Sequence, residues 1–152
     1  MTGTDIHQAL SASAKGLRCT EISPYVEGSW SFNFETNLGL NVQCPWRIVN
    51  EHGIALGSED DDQKFGLPEP IDGSKLAMQL LSESRLKQIT VVEETADVTF
   101  EFESGTQLQI FNNSMGYEGW SCGSTSGFEV IAMGGGRTAN SAPKSFWDSA
   151  KE

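Results

Sequence analysis

The chain has 152 residues, with 21 acidic against 10 basic side chains and a formal net charge of −11. This length supports one hydrophobic core and is too short for two ordinary domains, so we expect a single domain over 1–152. The negative charge argues against nucleic acid and membrane surfaces as partners, because both carry negative charge themselves. The sequence has neither an apolar run of membrane-spanning length nor a signal-peptide pattern, which predicts a cytoplasmic location.

The cysteines indicate neither a disulfide framework nor a zinc site. Cys19, Cys44 and Cys122 are odd in number and form no Cys-x-x-Cys pair, which favours buried free thiols. The alternative is a Cys–His dyad, for which only His7 and His52 are available. His52 lies in a segment of turn composition, so the sequence supplies no catalytic set.

The first half of the chain predicts a helix followed by β-strands. Residues 1–16 are expected to contain an N-terminal helix, because Ile6, Leu10 and Ala14 are spaced by four and Gly16 suits a helix C-terminus. Residues 17–48 predict a first antiparallel meander, since 30–34 and 40–48 alternate apolar and polar side chains.

An acidic loop and a second helix follow. Residues 57–73 combine acidic side chains with glycine and proline, which predicts a loop. Asp72 then caps a helix over 74–83, whose predicted apolar stripe is formed by Leu76, Ala77, Leu80 and Leu81.

Residues 86–133 predict a second meander and a last strand. Its clearest part is a hairpin over 98–110 with alternating apolar residues and a turn at Gly105. We expect Phe102 to lie opposite Leu108, with an odd number of connecting residues, because both apolar sets then share one face. Residues 128–133 predict the last strand, which ends at the glycines 134–136, and 137–152 form a polar tail.

The two meanders share a pattern. Four apolar residues of the first hairpin recur 68 residues later in the second, and Asn37 takes the place of Gly105; the pairs are Phe32 and Phe100, Phe34 and Phe102, Leu40 and Leu108, and Val42 and Ile110. We therefore predict an α+β fold in which two similar antiparallel meanders form one sheet, a sandwich or a partly open barrel, with the inserted helix packed on it. The alternative is coincidence between alternating strands.

Two segments invite a ligand interpretation that their spacing does not support. Asp60, Asp61 and Asp62 lack the alternate spacing of a calcium loop, so we expect a solvated loop and no metal site. The glycines 134–136 are followed by no Lys-Ser/Thr pair, so we expect no phosphate loop and no cofactor.

An aromatic and charged cluster is the candidate binding site. Tyr117, Glu118 and Trp120 follow a strand between flexible glycines, a composition that suits a ligand wall or an interface. Trp46 and Arg47 stand at the corresponding end of the first meander and are expected to join the patch. The alternative is that these aromatic residues close the end of the core.

Several of these motifs together resemble a family of small uncharacterised bacterial proteins. The resemblance covers 28–135 and is carried by Trp-Arg-Ile at 46–48, the Asp-Asp segment before Phe65-Gly66, Pro-Ile-Asp at 70–72, Phe-x-Phe-x-x-Gly-x-x-Leu-x-Ile at 100–110 and Gly-Tyr-Glu-Gly-Trp at 116–120. Such proteins occur as orphan products of mobile gene cassettes or near toxin systems. The resemblance implies no particular reaction.

Three functions remain open from the sequence. The first is a non-catalytic interaction protein, of immunity type, whose acidic surface binds a basic protein. The second is a small-ligand binding protein with a pocket walled by Trp46, Tyr117 and Trp120, and the third is an enzyme of unknown reaction. We also expect a homo-oligomer, with a dimer as the first choice, in which Phe146 and Trp147 of the tail contact a neighbouring subunit.

Overall fold

A computed structural model describes residues 3–124 and 127–141 of the chain. Two α-helices are present in this part, α1 (Gly3–Ala14) and α2 (Gly73–Leu81). Each precedes a series of strands, which are β1 (Cys19–Pro24), β2 (Trp30–Phe34), β3 (Leu38–Val42), β4 (Trp46–Asn50), β5 (Gly53–Gly57), β6 (Leu86–Val91), β7 (Val98–Phe102), β8 (Gln107–Ile110), β9 (Trp120–Ser124), β10 (Glu129–Ala132) and β11 (Thr138–Ser141). The fold is thus mostly β, with two helices.

The strands form two antiparallel sheets. One has six strands in the order β1-β2-β3-β9-β10-β11, and the other has five in the order β5-β4-β8-β7-β6. The predicted meanders, β1-β2-β3 and β6-β7-β8, therefore lie in different sheets and do not form one sheet. Each meander is extended by a hairpin from the other half of the chain, because β4 pairs with β8 and β9 pairs with β3.

The internal repeat is longer than the two meanders. Each half runs as a helix, three meander strands and a hairpin that crosses to the opposite sheet. The halves agree in detail: the first meander strand has a pairing irregularity between Cys19 and Glu21 in one half and between Leu86 and Gln88 in the other. Trp46 and Trp120 begin the corresponding strands β4 and β9, opposite Ile110 and Val42 respectively.

The helices pack across the two halves. Helix α1 contacts β6 and β10, and α2 contacts β1 and β5, so each helix packs on the first strand of the other half. In α2 the buried residues are Gly73, Ala77 and Leu81, while Leu76 and Leu80 are only partly buried. The predicted stripe is therefore rotated toward Ala77 and Leu81, because the helix packs against the edge strand β1 and not across the shared face of both meanders.

Buried side chains from both sheets contribute to one hydrophobic core. Phe34 of β2 stacks on Phe100 and Phe102 of β7, with ring centroids 5.9 and 6.5 Å apart. All eight apolar residues of the predicted repeat are buried, as expected from their alternation; they are Phe32, Phe34, Leu40, Val42, Phe100, Phe102, Leu108 and Ile110.

The hairpin register differs from the prediction by two residues. Phe100, and not Phe102, lies opposite Leu108, and the backbone N–H of Phe102 donates to the carbonyl of Thr106 (2.9 Å). The connection of three residues, 103–105, has the predicted odd length. A shift by two keeps every side chain on its own face, so the burial pattern is unaffected.

Three strands occur where the sequence interpretation placed none. The predicted first meander ran to residue 48, but the chain leaves the first sheet after β3 and enters the second at β4, with β5 completing a hairpin. The prediction failed because the alternation continues unbroken through Gln43, Cys44 and Pro45. Strand β9 follows the candidate cluster directly, and β11 lies within the predicted tail. No helix in the described part of the chain has the length and hydrophobicity needed to span a membrane.

Candidate functional site

A cleft separates the β1–β2 loop, residues 25–29, from the β8–β9 loop, residues 111–119. Its volume is about 580 Å³, and the connection from β3 to β4 forms its floor through Gln43 and Cys44. A second cavity of about 420 Å³ shares Ser29, Gln43 and Cys44 with the cleft and extends to Ser58, Glu59 and Asp61 beyond β5. The two adjoining cavities are called the groove below.

The groove is negatively charged. Glu27 and Glu118 line the larger cavity, and Glu59 and Asp61 line the smaller one, whereas no Lys or Arg of the described residues lines either. The Asp61 carboxylate already accepts the backbone N–H of Gly73 at 2.8 Å. The groove therefore presents an environment in which a cation is favoured.

Large apolar side chains are exposed in the loops that form the groove. Tyr25 is 69 % exposed and Val26 is 66 % exposed in one loop, and Tyr117 is 81 % exposed and Met115 93 % exposed in the other. Exposed aromatic and apolar residues grouped around a concave surface are typical of interaction sites.

The structure separates the predicted site residues. Tyr117 and Glu118 line the groove, but Trp46 and Trp120 are each only 2 % exposed and belong to the core. Trp46 packs edge-on against Trp30 and Phe32, with centroids 5.2 Å apart in both cases. Both tryptophans are the first apolar residues of their strands and point into the core, so the predicted pocket walled by Trp46, Tyr117 and Trp120 is not formed.

Arg47 is directed away from the groove. Its Nε donates to Gln109 Oε1 at 2.8 Å, and its guanidinium lies over the ring of Phe111 at 5.1 Å from the centroid. It alternates with the buried Trp46 along β4 and therefore lies on the opposite face of the sheet.

The β8–β9 loop is held by Asn112. The Asn112 Nδ2 donates to the carbonyls of Thr95 (2.9 Å) and Met133 (3.2 Å), and its backbone N–H donates to Asp97 Oδ1 (2.9 Å). This half-buried carboxamide joins two other segments through its N–H groups, while its Oδ1 has no hydrogen-bond partner among the described residues. The two bonds hold the loop that carries Tyr117 and Glu118 to the cleft.

The glycines 134–136 have a packing role. A Cβ at Gly134 would lie 2.6 Å from the Gly116 Cα, and one at Gly136 would collide with the Glu94 carbonyl. Gly135 donates its N–H to the Ser114 carbonyl at 2.8 Å and has φ +84°. The triplet thus allows the β8–β9 loop to approach the chain after β10.

The three consecutive aspartates do not converge. Asp60 accepts the N–H of Gly57 at 2.7 Å and Asp61 that of Gly73, so both stabilise the local backbone. Within 3–124 and 127–141, no group of three or more His, Cys, Asp or Glu side chains is placed to hold a metal ion.

The thiols and histidines are not arranged as a dyad in the part of the chain that the structure describes. Burial raises the pKa of each of Cys19, Cys44 and Cys122 to about 12, so the reactive thiolate is disfavoured at neutral pH. His7 lines a separate groove of about 500 Å³ between α1 and β6, where its Nε2 is 3.1 Å from Thr138 Oγ1 and burial lowers its pKa. His52 is exposed beside Glu51.

Sequence reasoning missed Tyr25, Glu27 and Gln43, because each lies in a connection whose position depends on how the strands are paired. The signal that could have found the groove is a length difference: Trp46 follows Val42 by four residues, whereas Trp120 follows Ile110 by ten.

The chain was compared with models of known families, with curated proteins and with solved structures, and none of them matches it. The resemblance to small uncharacterised bacterial proteins therefore stays a prediction. Phe146 and Trp147, the predicted oligomer contacts, lie outside the described residues.

Proposed function

We propose that this protein is a non-catalytic binding protein whose groove accepts a positively charged segment of a partner protein. The main observation in support is that four carboxylate side chains line the groove, whereas no basic side chain of the described residues does. The net charge of −11 supports the same partner, because complementary fields accelerate association and reject like-charged proteins.

The exposed aromatic side chains at the groove support a protein partner. Tyr25 and Tyr117 offer apolar surface and hydroxyl groups to a bound chain, as aromatic residues do in interfaces. The two sheets, which we infer pack as a β-sandwich, would provide the support that holds the two loops apart. An acidic binder of a basic protein is also the immunity-type role that the net charge of −11 favours.

A small-molecule ligand is the second candidate, since the larger cavity of about 580 Å³ has the size of a small-molecule site. It receives less support, because the two tryptophans expected to wall such a pocket are in the core.

The proposal is tested with two octapeptides, one of alternating arginine and serine and one of alternating glutamate and serine. We expect the full-length chain to bind the basic peptide and not the acidic one in calorimetry, with an affinity that falls as salt is added. The double variant Glu27→Gln/Glu118→Gln should bind several-fold more weakly. Glu83→Gln, an exposed change in the turn after α2, should bind like the parent. Equal binding of both peptides, or an unchanged affinity in the double variant, would overturn the proposal.

A further inference from the structure

The two halves of the chain make the same crossing contact with each other. The N–H of Gln43 donates to the Gly119 carbonyl (2.7 Å), and the N–H of Phe111 donates to the Pro45 carbonyl (2.9 Å). These reciprocal bonds place Gln43 in correspondence with Phe111, and Pro45 with Gly119. The segment between them is one residue, Cys44, in the first half and seven residues, 112–118, in the second.

Asn112 is therefore the counterpart of Cys44. In the second half, its carboxamide joins the β6–β7 loop to the chain after β10, through the carbonyls of Thr95 and Met133. In the first half, the corresponding stretches are the β1–β2 loop and residues 58–59, and both line the 420 Å³ cavity. A thiol offers no N–H donor, and no side-chain nitrogen joins these two stretches within 3–124 and 127–141.

An indole in each half shows the same asymmetry. Trp120 Nε1 donates to the Ala96 carbonyl in the β6–β7 loop at 2.7 Å. The corresponding Trp46 Nε1 is buried and has no partner among the described residues. Among the described residues, the β1–β2 loop is therefore held neither by an indole N–H nor by a bridging carboxamide, whereas the β6–β7 loop is held by both.

From this comparison we infer that the 420 Å³ cavity binds an arginine side chain of the partner, seated where Asn112 sits in the other half. A guanidinium is planar like a carboxamide and presents N–H donors in a fixed fork, so it can reach both stretches of main chain. Its charge matches Glu59 and Asp61, which line this cavity. The inference rests on the proposed function and adds the identity of the bound side chain.

Pentapeptides that differ only at the central residue separate charge from hydrogen bonding. The central residues are arginine, lysine, dimethylarginine and norleucine, and binding to the full-length chain is followed by NMR shifts of the backbone amides. We expect the arginine peptide to bind at least about tenfold more tightly than the lysine and dimethylarginine peptides, because dimethylarginine keeps the charge but loses donors. The shifts should centre on the residues that line the smaller cavity, Ser29 and Glu59 among them.

The possible outcomes are distinct. If lysine and dimethylarginine bind as well as arginine, the arginine inference fails and the proposed function stands, because charge alone is then sufficient. If no cationic peptide binds better than the norleucine peptide, both fail.

A variant tests the same inference from the protein side. Cys44→Asn places the carboxamide of the second half into the first, where it should bridge the two stretches and reduce arginine-peptide affinity at least about tenfold. Gln79→Asn, an exposed change on α2 outside the groove, is the control and should bind like the parent. Gln43→Arg places a guanidinium of the chain itself in the groove, so it should also weaken binding of the arginine peptide. Gln79→Arg, exposed on α2, should not weaken it. If Cys44→Asn folds and binds the arginine peptide as tightly as the parent, the inference is overturned. If this variant does not fold, the peptide series tests the inference instead.

Discussion

The two indoles that begin β4 and β9 are almost identical in burial but differ in hydrogen bonding. Each tryptophan is 2 % exposed, yet only Trp120 Nε1 has an acceptor, the Ala96 carbonyl. The Trp46 Nε1 is buried without a partner among the described residues. Its N–H group therefore loses its hydrogen bonds to water on folding and gains no hydrogen bond in exchange. Trp46 can therefore serve as the control for the hydrogen bond that Trp120 makes.

We predict that Trp120→Phe lowers the free energy of unfolding by about 1–2 kcal/mol more than Trp46→Phe does. Both changes remove a similar area of buried ring, but only the first leaves the Ala96 carbonyl without its donor. Urea unfolding followed by circular dichroism measures both, since the fluorescence of the protein changes with each substitution. Equal losses would show that the hydrogen bond of Trp120 contributes nothing net.

Among the elements, the β8–β9 loop differs most between the halves, and the glycines 134–136 are what admit it. The backbone of Gly116 approaches Gly134 so closely that no Cβ fits. At Gly135 a Cβ would make only an ordinary contact of 3.7 Å with the Met115 carbonyl oxygen, but the φ of +84° is left-handed. The triplet therefore combines two separate requirements, close approach and backbone conformation.

We expect Gly134→Ala to destabilise the protein more than Gly135→Ala. The added methyl at 134 collides with main-chain atoms, which costs about 1–3 kcal/mol or more as in overpacked cores. At 135 it costs only the left-handed conformation, about 1–2 kcal/mol. Thermal and urea unfolding of the two variants compare them directly, and the reverse order would contradict the packing role of Gly134.

The alternation of apolar and polar residues predicted which side chains are buried but not which sheet holds each strand. Phe32 and Phe100 were recognised as core residues because a strand with one buried face alternates with period two. The passage from β3 to β4 keeps this alternation through Cys44 while the chain changes sheets, so no local signal marks it.

The candidate site was predictable only in part for the same reason. Tyr117 and Glu118 were identified from composition, and both line the groove. Trp46 and Trp120 have the same composition signal but are in the core, because each is the first residue of a strand and its side chain lies on the buried face. Tyr25 and Glu27 belong to a loop that meets the site only after the two sheets are assembled.

The whole molecule has two similar halves with strands exchanged between two sheets, and the edge strands of these sheets in the described residues are β1, β11, β5 and β6. Helix α1 packs on β6 and α2 packs on β1. In the six-stranded sheet, β11 pairs with β10 and has no other partner strand among the described residues. Strand β11 has no counterpart in the first half, because there the hairpin β4–β5 is followed by the acidic loop.

We predict a homodimer formed through the chain that follows β11. Residues 142–152 contain Phe146 and Trp147, and each of these side chains can remove about 150–250 Å² from water in a groove of a second subunit. An unpaired edge such as β11 offers main-chain hydrogen bonds to the same partner, and two-fold closure is the commonest arrangement for such contacts. Truncation after Ser141 keeps β11 and removes both aromatic residues, so light scattering should report a dimer for the full-length chain and a monomer for the truncated one.

The double variant Phe146→Ser/Trp147→Ser, which keeps the chain length, should behave like the truncation if the aromatic side chains are responsible. A full-length monomer at high micromolar concentration, or a truncated chain that remains dimeric, would contradict this assembly.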